Sequence, residues 1–281
     1  LFFNKRFLKI KENEKVLRLN FIYNSLFTQN KNIPLPNGIG FEVRYIDTSI
    51  TPIFSIDVTQ KGKVSFEDID LLMVNLNDTI SKYLFKFPSK ILNIKAYIYA
   101  HKKIPYQQIE DLKYEITKGS LFKIVYITDA YDEKLKGIPF RLHRTSIKKK
   151  VIKKEQDEIV VDIPFSMDIG EEIIENLYDL NFKKVKELLK KCNYSYVKIY
   201  HKSKVIINGQ EVSLKKEKEI YSLLKGKDFI FLEADNKVSY SVYLKNLSVL
   251  HKSFSNDEAL FPFIEISSEL QEIIEDKKIK F

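Results

Sequence analysis

An internal repeat is the feature that most constrains the fold of this 281-residue chain. The order of strand-like and helix-like segments that begins near residue 50 returns after Asn193. Residues 63–66 align with residues 211–214 at an offset of 148, and residues 99–106 align with residues 233–240 at an offset of 134. We assign the difference to an insertion around 77–93 of the first copy. An insertion of about 14 residues in a loop costs little, because loop-closure entropy grows slowly with length.

The first copy predicts alternating strands and helices. Residues 53–58, 96–100 and 123–128 have the apolar character of strands. Ser65 is predicted to cap a first helix. The apolar face of that helix would comprise Ile69, Leu72, Met73 and Leu76. A second helix is predicted to follow Pro105, since proline suits the first turn of a helix. The unit therefore predicts the order strand, helix, strand, helix, strand.

The second copy repeats this order, with a helix opening at residues 211–214 and another near Tyr240. The predicted fold class is α+β: two small βαβαβ modules with mixed sheets, plus an irregular β-rich N-terminal segment. The predicted boundaries are a β-rich segment at 1–50, a first module at 51–130, a connector with a helix at 131–195, and a second module with a C-terminal helix at 196–281.

Composition restricts the function class. Apolar residues make up 44% of the chain, which is ample for packed cores and excludes a disordered or fibrous protein. Lys or Arg interrupts every apolar run well before it reaches the length that a membrane helix needs. Lys and Arg exceed Asp and Glu by nine, which raises the chance of an anionic partner. A lysine-favouring genome explains the same excess more simply.

Motifs for common chemistries are not found in the sequence. The four histidines are scattered and contain no HExxH pair, so no metal site is predicted. Gly38-Ile39-Gly40 is a GxG without the third glycine of a dinucleotide fingerprint. Cys192 is interpreted as an ordinary thiol at a helix end. We therefore predict a non-enzymatic protein with no catalytic residue, no metal and no cofactor.

A family resemblance rests on the segment from Val205 to Leu250. Its "VIINGQEVSL" opening and its "EADNKVSYSVYLKNL" stretch resemble the periplasmic domain of the ExbD/TolR family. In that family a strand ends in Ala-Asp-Lys-x-Val-x-Tyr and leads into a long helix. The first copy resembles the second half of this pattern, but His101 stands where the second copy has Asp235. The tandem arrangement is a departure, since family members usually carry one such domain behind a membrane helix.

The resemblance implies a role in biopolymer transport or cell-envelope energisation. The chain would be a periplasmic module of a proton-driven ExbBD/TolQR-type motor, anchored to the inner membrane by a segment outside this sequence. That segment would join it to a channel-forming subunit. The soluble part would bind an energy-transducing protein or peptidoglycan. A tandem copy would supply an intramolecular pseudo-dimer, or the chain would form a homodimer.

Candidate partner-binding residues are Tyr106, Asp235, Lys237 and Tyr240, which lie at equivalent helix entries of the two copies. Core packing is the favoured role of the two tyrosines, and a turn or cap is the favoured role of Asp235. The alternative function is a nucleic-acid-binding protein that uses its lysines and aromatic rings. Most aromatics alternate within strands and no Arg-rich helix is present, so we expect no nucleic-acid partner.

Overall fold

The structure is a computed structural model that describes residues 33–36, 53–85, 94–131, 134–143, 169–254, 263–277 and 279. Within them the chain forms seven α-helices and two mixed sheets of six and five strands. The predicted α+β class with mixed sheets is confirmed. Apart from residues 33–36, the predicted β-rich N-terminal segment lies outside the described residues.

The first module, as the structure delimits it, comprises residues 53–141. Its strands are β1 (Ile53–Val58), β2 (Val64–Phe66), β3 (Ile69–Leu71), β4 (Lys95–Ala100), β5 (Lys123–Tyr131) and β6 (Lys134–Arg141). Its helices are α1 (Leu76–Phe85) and α2 (Tyr106–Lys118). The sheet order is β3-β2-β1-β4-β5-β6, and β1, β4 and β5 run parallel.

The second module comprises residues 194–276 and is preceded by α3 (Ile169–Tyr178) and α4 (Phe182–Leu189). Its strands are β7 (Tyr194–Ile199), β8 (Lys204–Ile207), β9 (Gln210–Ser213), β10 (Phe229–Ala234) and β11 (Phe263–Glu265). Its helices are α5 (Glu217–Leu224), α6 (Tyr240–Phe254) and α7 (Ser268–Asp276). The sheet order β11-β10-β7-β8-β9 matches that of β5-β4-β1-β2-β3.

Both modules therefore share the order βββαβαβ, which has one more hairpin than the predicted βαβαβ unit, and the first module adds β6 at its end. The predicted helix entries at Ser65 and at residues 211–214 are wrong, because Ser65 lies in β2 and Ser213 in β9. Glu67 and Asp68 have φ angles of 49° and 63°, so they form the tight turn between β2 and β3. Three-residue strands around such a turn carry apolar residues at a spacing that imitates a helix.

The two modules share one topology, but their structurally equivalent residues differ from those that the sequence alignment pairs. Val58 pairs with Val64 in the first module, and Ile199 pairs with Val205 in the second. The offset through the hairpins is therefore 141, whereas it is 134 through β4 and α2. The insertion between α1 and β4 is thus half as long as the sequence alignment predicts. Ser65 is equivalent to Ile206, not to Ser213.

One apolar core joins the two modules. It contains the helix-facing side of both sheets together with α1, α2, α5 and α6. In the second module the other face of the sheet packs against α3, α4 and α7. The connector, where a helix is predicted, contains α3 and α4 in its described part, and the chain turns between them at Leu180, which has a φ of 57°. The first module has a small second cluster of Tyr97, Tyr99, Val125 and Ile127, and Leu35 packs on it.

Within the described residues, no helix combines the length and the apolar character needed to cross a membrane.

Candidate binding site

Four backbone hydrogen bonds join the two modules in a reciprocal pattern. The N–H of Tyr106 donates to the carbonyl of Val238 over 2.8 Å, and the N–H of Tyr240 donates to the carbonyl of Ile104 over 2.8 Å. A second pair follows the same rule, from Gln107 to Asn236 and from Ser241 to Lys102. Every donor and acceptor has its counterpart at the offset of 134. This exchange is the pattern of an isologous contact between two copies of one surface.

Tyrosine rings fill the space behind this contact. Tyr106 and Tyr240 begin equivalent helices and are both buried. The ring of Tyr106 lies 4.5 Å from that of Tyr243, and Tyr126 lies 5.9 Å from both Tyr240 and Tyr243. Such aromatic pairs add to the stabilisation from buried area. Of the predicted partner-binding residues, the two tyrosines thus lie inside the contact between the modules.

A buried ion pair crosses the same contact. Nζ of Lys113 on α2 lies 2.5 Å from Oε2 of Glu265 at the end of β11. Lys113 also donates to the hydroxyl of Tyr106 over 2.8 Å, and the hydroxyls of Tyr106 and Tyr243 donate to Oε1 of Glu265. Burial, and then the Glu265 carboxylate, raise the pKa of Tyr106 well above its usual range. These hydrogen bonds satisfy the paired charges, and they join α2 of the first module to β11 of the second.

A cleft of about 230 Å³ opens beside this ion pair. On its wall the carboxylate of Glu110 on α2 accepts from the backbone N–H of Ser268 over 2.5 Å and from its hydroxyl over 2.6 Å. Ser268 is the first residue of α7, so the first module supplies an anion to a helix N-terminus of the second. Lys113, Glu265, Glu110 and Ser268, which line this cleft, are therefore used in joining the modules.

Asp235 and Lys237 lie in the turn between β10 and α6. Oδ1 of Asp235 accepts from the backbone N–H of Lys237 over 2.8 Å, while Lys237 is exposed. In the first module, Nδ1 of His101 accepts from the N–H of Lys103 over 3.1 Å. His101 therefore performs the turn role of its counterpart Asp235. Burial, and then Lys103 and Lys102, lower the pKa of His101, which keeps the ring nitrogen free to accept.

In the described part of the chain, the hairpin strands β3 and β9 form one edge of each sheet, and β6 and β11 form the opposite edges. Three apolar side chains on and just after β3 are exposed: Ile69 by 68%, Leu72 by 70% and Val74 by 67%. At the offset of 141, their counterparts around β9 are Gln210, Ser213 and Lys215. The two modules thus differ at an otherwise equivalent edge, which is apolar in the first and polar in the second.

Acidic residues accompany the edge of the first module. Asp57, Ser65 and Asp70 lie directly opposite one another across β1, β2 and β3, so they share the sheet face that turns away from α1 and α2. Asp57 is 2% exposed, and its carboxylate makes no hydrogen bond to the described residues. Burial, and then Asp68 and Glu67, raise its pKa to about 7.

In the second module, the charged residues at the positions of Asp57 and Asp70 form ion pairs within the module. Lys198, the counterpart of Asp57, lies 2.5 Å from Glu233. Glu211, the counterpart of Asp70, lies 2.6 Å from Lys204. The two edges therefore differ in charge as well as in apolar character.

Other chemistry is not assembled in the part of the chain that the structure describes. No group of three His, Cys, Asp or Glu side chains there could hold a metal ion. Sγ of Cys192 donates to the carbonyl of Leu188 over 3.3 Å at the end of α4.

Sequence reasoning missed Lys113, Glu265 and Glu110, which carry the polar contacts between the modules. Lys113 and Glu265 lie far apart along the chain, and each stands among ordinary charged positions of a lysine-rich and glutamate-rich sequence. The alignment of the two copies indicates the helix entries at Tyr106 and Tyr240. It gives no signal for Lys113, Glu110 or Glu265.

The fold and the contact define a class: a chain that joins two α+β modules of one topology through equivalent surfaces. Comparison with protein-family models, with curated proteins and with solved structures finds no match for this chain.

Proposed function

We propose that this chain is a non-enzymatic periplasmic module of a proton-driven ExbBD/TolQR-type motor or transport system, and that it binds a partner protein or peptidoglycan. The single observation that carries the proposal is the reciprocal hydrogen bonding of Tyr106 and Tyr240 between two modules of one topology. Domains of the family that the sequence resembles pair as dimers. Here the two copies would form that pair within one chain.

The use of polar groups supports a binding role over a catalytic one. Within the lining of the cleft, Lys113 pairs with Glu265 and Glu110 with Ser268 across the contact between the modules. Groups held in this way fix the docking of the two modules. A catalytic acid or base would instead need to face a substrate.

The sheet edge at β3, which no other strand of the described residues covers, supports a protein or peptide partner. An unpaired edge strand presents backbone N–H and C=O groups that must be covered, blunted or used. The apolar side chains at β3 do not blunt the edge, whereas the polar residues at β9 do. Strand addition is a common way in which such an edge recruits an extended segment.

In this proposal the chain works in the periplasm and is anchored to the inner membrane by a segment outside the sequence. That segment would contact the channel-forming subunit of the motor. The two modules would contact the energy-transducing protein or peptidoglycan.

The test combines sedimentation with two binding assays on the purified chain. We expect a monomer that co-sediments with isolated peptidoglycan sacculi or binds the periplasmic segment of an energy-transducing protein encoded beside its gene. A random DNA duplex serves as the competitor. Salt-dependent binding to DNA, with no binding to sacculi or to the protein segment, would contradict the proposal and favour the nucleic-acid alternative.

A further inference from the structure

Two properties of the sheet edge at β3 in the first module indicate the chemistry of its partner. Its backbone is open at β3 within the described part of the chain, and its surroundings are both apolar and acidic. We propose that β3 pairs with an extended segment of a partner protein in which apolar residues alternate with lysine or arginine. This inference rests on the proposed binding function and names the chemistry of the partner.

The hairpin geometry identifies the backbone groups that the partner would use. A two-residue turn at Glu67 and Asp68 makes Phe66 and Ile69 the first hydrogen-bonded pair of the hairpin. Because bonded and non-bonded pairs alternate along antiparallel strands, the N–H and C=O of Asp70 point away from β2. An added strand would pair with Asp70 there.

The register then sets which partner residue lies on which face. The residue opposite Asp70 would extend the row that runs from Asp57 through Ser65 to Asp70. Opposite charges directly across neighbouring strands are stabilising, so this partner residue is lysine or arginine. Its neighbours in the strand turn to the other face, beside Ile69 and Leu71, and these are apolar.

Comparison with the second module indicates that the fold does not require apolar residues at the β3 edge. Gln210, Ser213 and Lys215 occupy the positions of Ile69, Leu72 and Val74 in the same topology. Glu211 is already paired with Lys204, whereas Asp70 makes no ion pair with another described residue. The proposal therefore places the partner strand on the first module and not on the second.

The test uses two synthetic eight-residue peptides, one alternating Val with Lys and one alternating Val with Glu, labelled for fluorescence anisotropy. Because the chain carries a net charge of +9, non-specific attraction favours the Glu peptide. We expect the opposite order, with the Lys peptide binding at least about ten-fold more tightly. Equal binding, or tighter binding of the Glu peptide, would overturn the proposal.

Variants locate the site. The triple variant Ile69→Gln, Leu72→Ser, Val74→Lys copies the second module onto the first and is expected to weaken binding of the Lys peptide at least about ten-fold. The matched control Gln210→Ser, at the other edge, is expected to leave it unchanged. Asp70→Lys, a single substitution at an exposed position, is expected to weaken binding of the Lys peptide in the same way, and it serves if the triple variant fails to fold. Unchanged affinity in the folded variants would overturn the proposal.

Two further outcomes separate this inference from the proposed function. If sacculi or a natural partner segment bind wild type and the triple variant equally, the edge is not the site, although the binding function stands. If the chain dimerises in sedimentation and the triple variant does not, the occupant is a second copy of this chain, which also overturns the inference.

Discussion

Tyr106 and Tyr240 are the first residues of equivalent helices, and each donates its backbone N–H to the carbonyl two residues before the other. Their side chains are not equivalent in the same way. The Tyr106 hydroxyl bonds to Lys113 and Glu265, whereas the buried Tyr240 hydroxyl has no hydrogen-bond partner among the described residues.

This asymmetry predicts that removing each hydroxyl has a different effect on the free energy of unfolding. Tyr106→Phe takes a hydrogen bond from a buried charged pair and should lower the free energy of unfolding by about 1.5 to 3 kcal/mol. Tyr240→Phe removes an unsatisfied buried group and should be neutral or stabilising. Urea denaturation of the two variants measures both effects. Equal losses would show that the two hydroxyls are equally well satisfied.

The Lys113–Glu265 pair predicts strong coupling between the two positions. Lys113→Met alone leaves a buried carboxylate without its cation and should cost about 3 to 5 kcal/mol. Adding Glu265→Gln should recover most of that loss, since the glutamine is neutral and can still accept from the tyrosine hydroxyls. A double-mutant cycle by chemical denaturation gives the coupling energy. Additive losses would contradict the pairing.

Asp57 predicts an unusual pH dependence of stability. Its pKa is raised from 3.8 to about 7 in the folded protein, mainly by burial, so between these values the folded state binds more protons than the unfolded state. Its contribution therefore makes stability fall as pH rises from about 4 to about 7. Asp57→Asn removes this loss, which is as much as about 4 kcal/mol. Parallel stability curves for wild type and variant would contradict the prediction.

His101 predicts a pH effect of the opposite sign. Because its pKa is lowered in the folded protein, the unfolded state binds more protons, and its contribution to stability is lost as pH falls below about 6.5. His101→Asp copies the second module, keeps an acceptor for the Lys103 N–H and should remove this pH dependence. His101→Ala should cost about 1 kcal/mol at pH 8. A greater loss in the Asp variant than in the Ala variant would contradict the shared turn role.

The parallel strands β1, β4, β5, β7 and β10 and the second helix of each module could be predicted, because their apolar runs are bounded by turn residues. The hairpin strand β3 could not, since Ile69, Leu72 and Met73 have a helix-like spacing, and the left-handed turn at Glu67 and Asp68 lacks the glycine that marks the Asn208-Gly209 turn. Because the sequence alignment paired Ser65 with Ser213 instead of Ile206, the predicted insertion between α1 and β4 was twice as long as the observed one.

The candidate site was predicted in part. The copies aligned well enough at Tyr106 and Tyr240 to identify both helix entries. The ion pair and the Glu110 contact with α7 join residues from opposite halves of the chain, and no local pattern signals such pairs.

Docking of the two modules within one chain is the central claim, and a disulfide tests it most directly. Pro105 and Ser239 form an isolated antiparallel bridge. The flanking hydrogen bonds make them a non-bonded pair, for which a Cα separation of about 4.5 Å suits a disulfide. In a Cys192→Ser background, Pro105→Cys with Ser239→Cys should oxidise spontaneously to a monomer that migrates faster on non-reducing gels. Free thiols, or a disulfide-linked dimer of two chains, would contradict the claim.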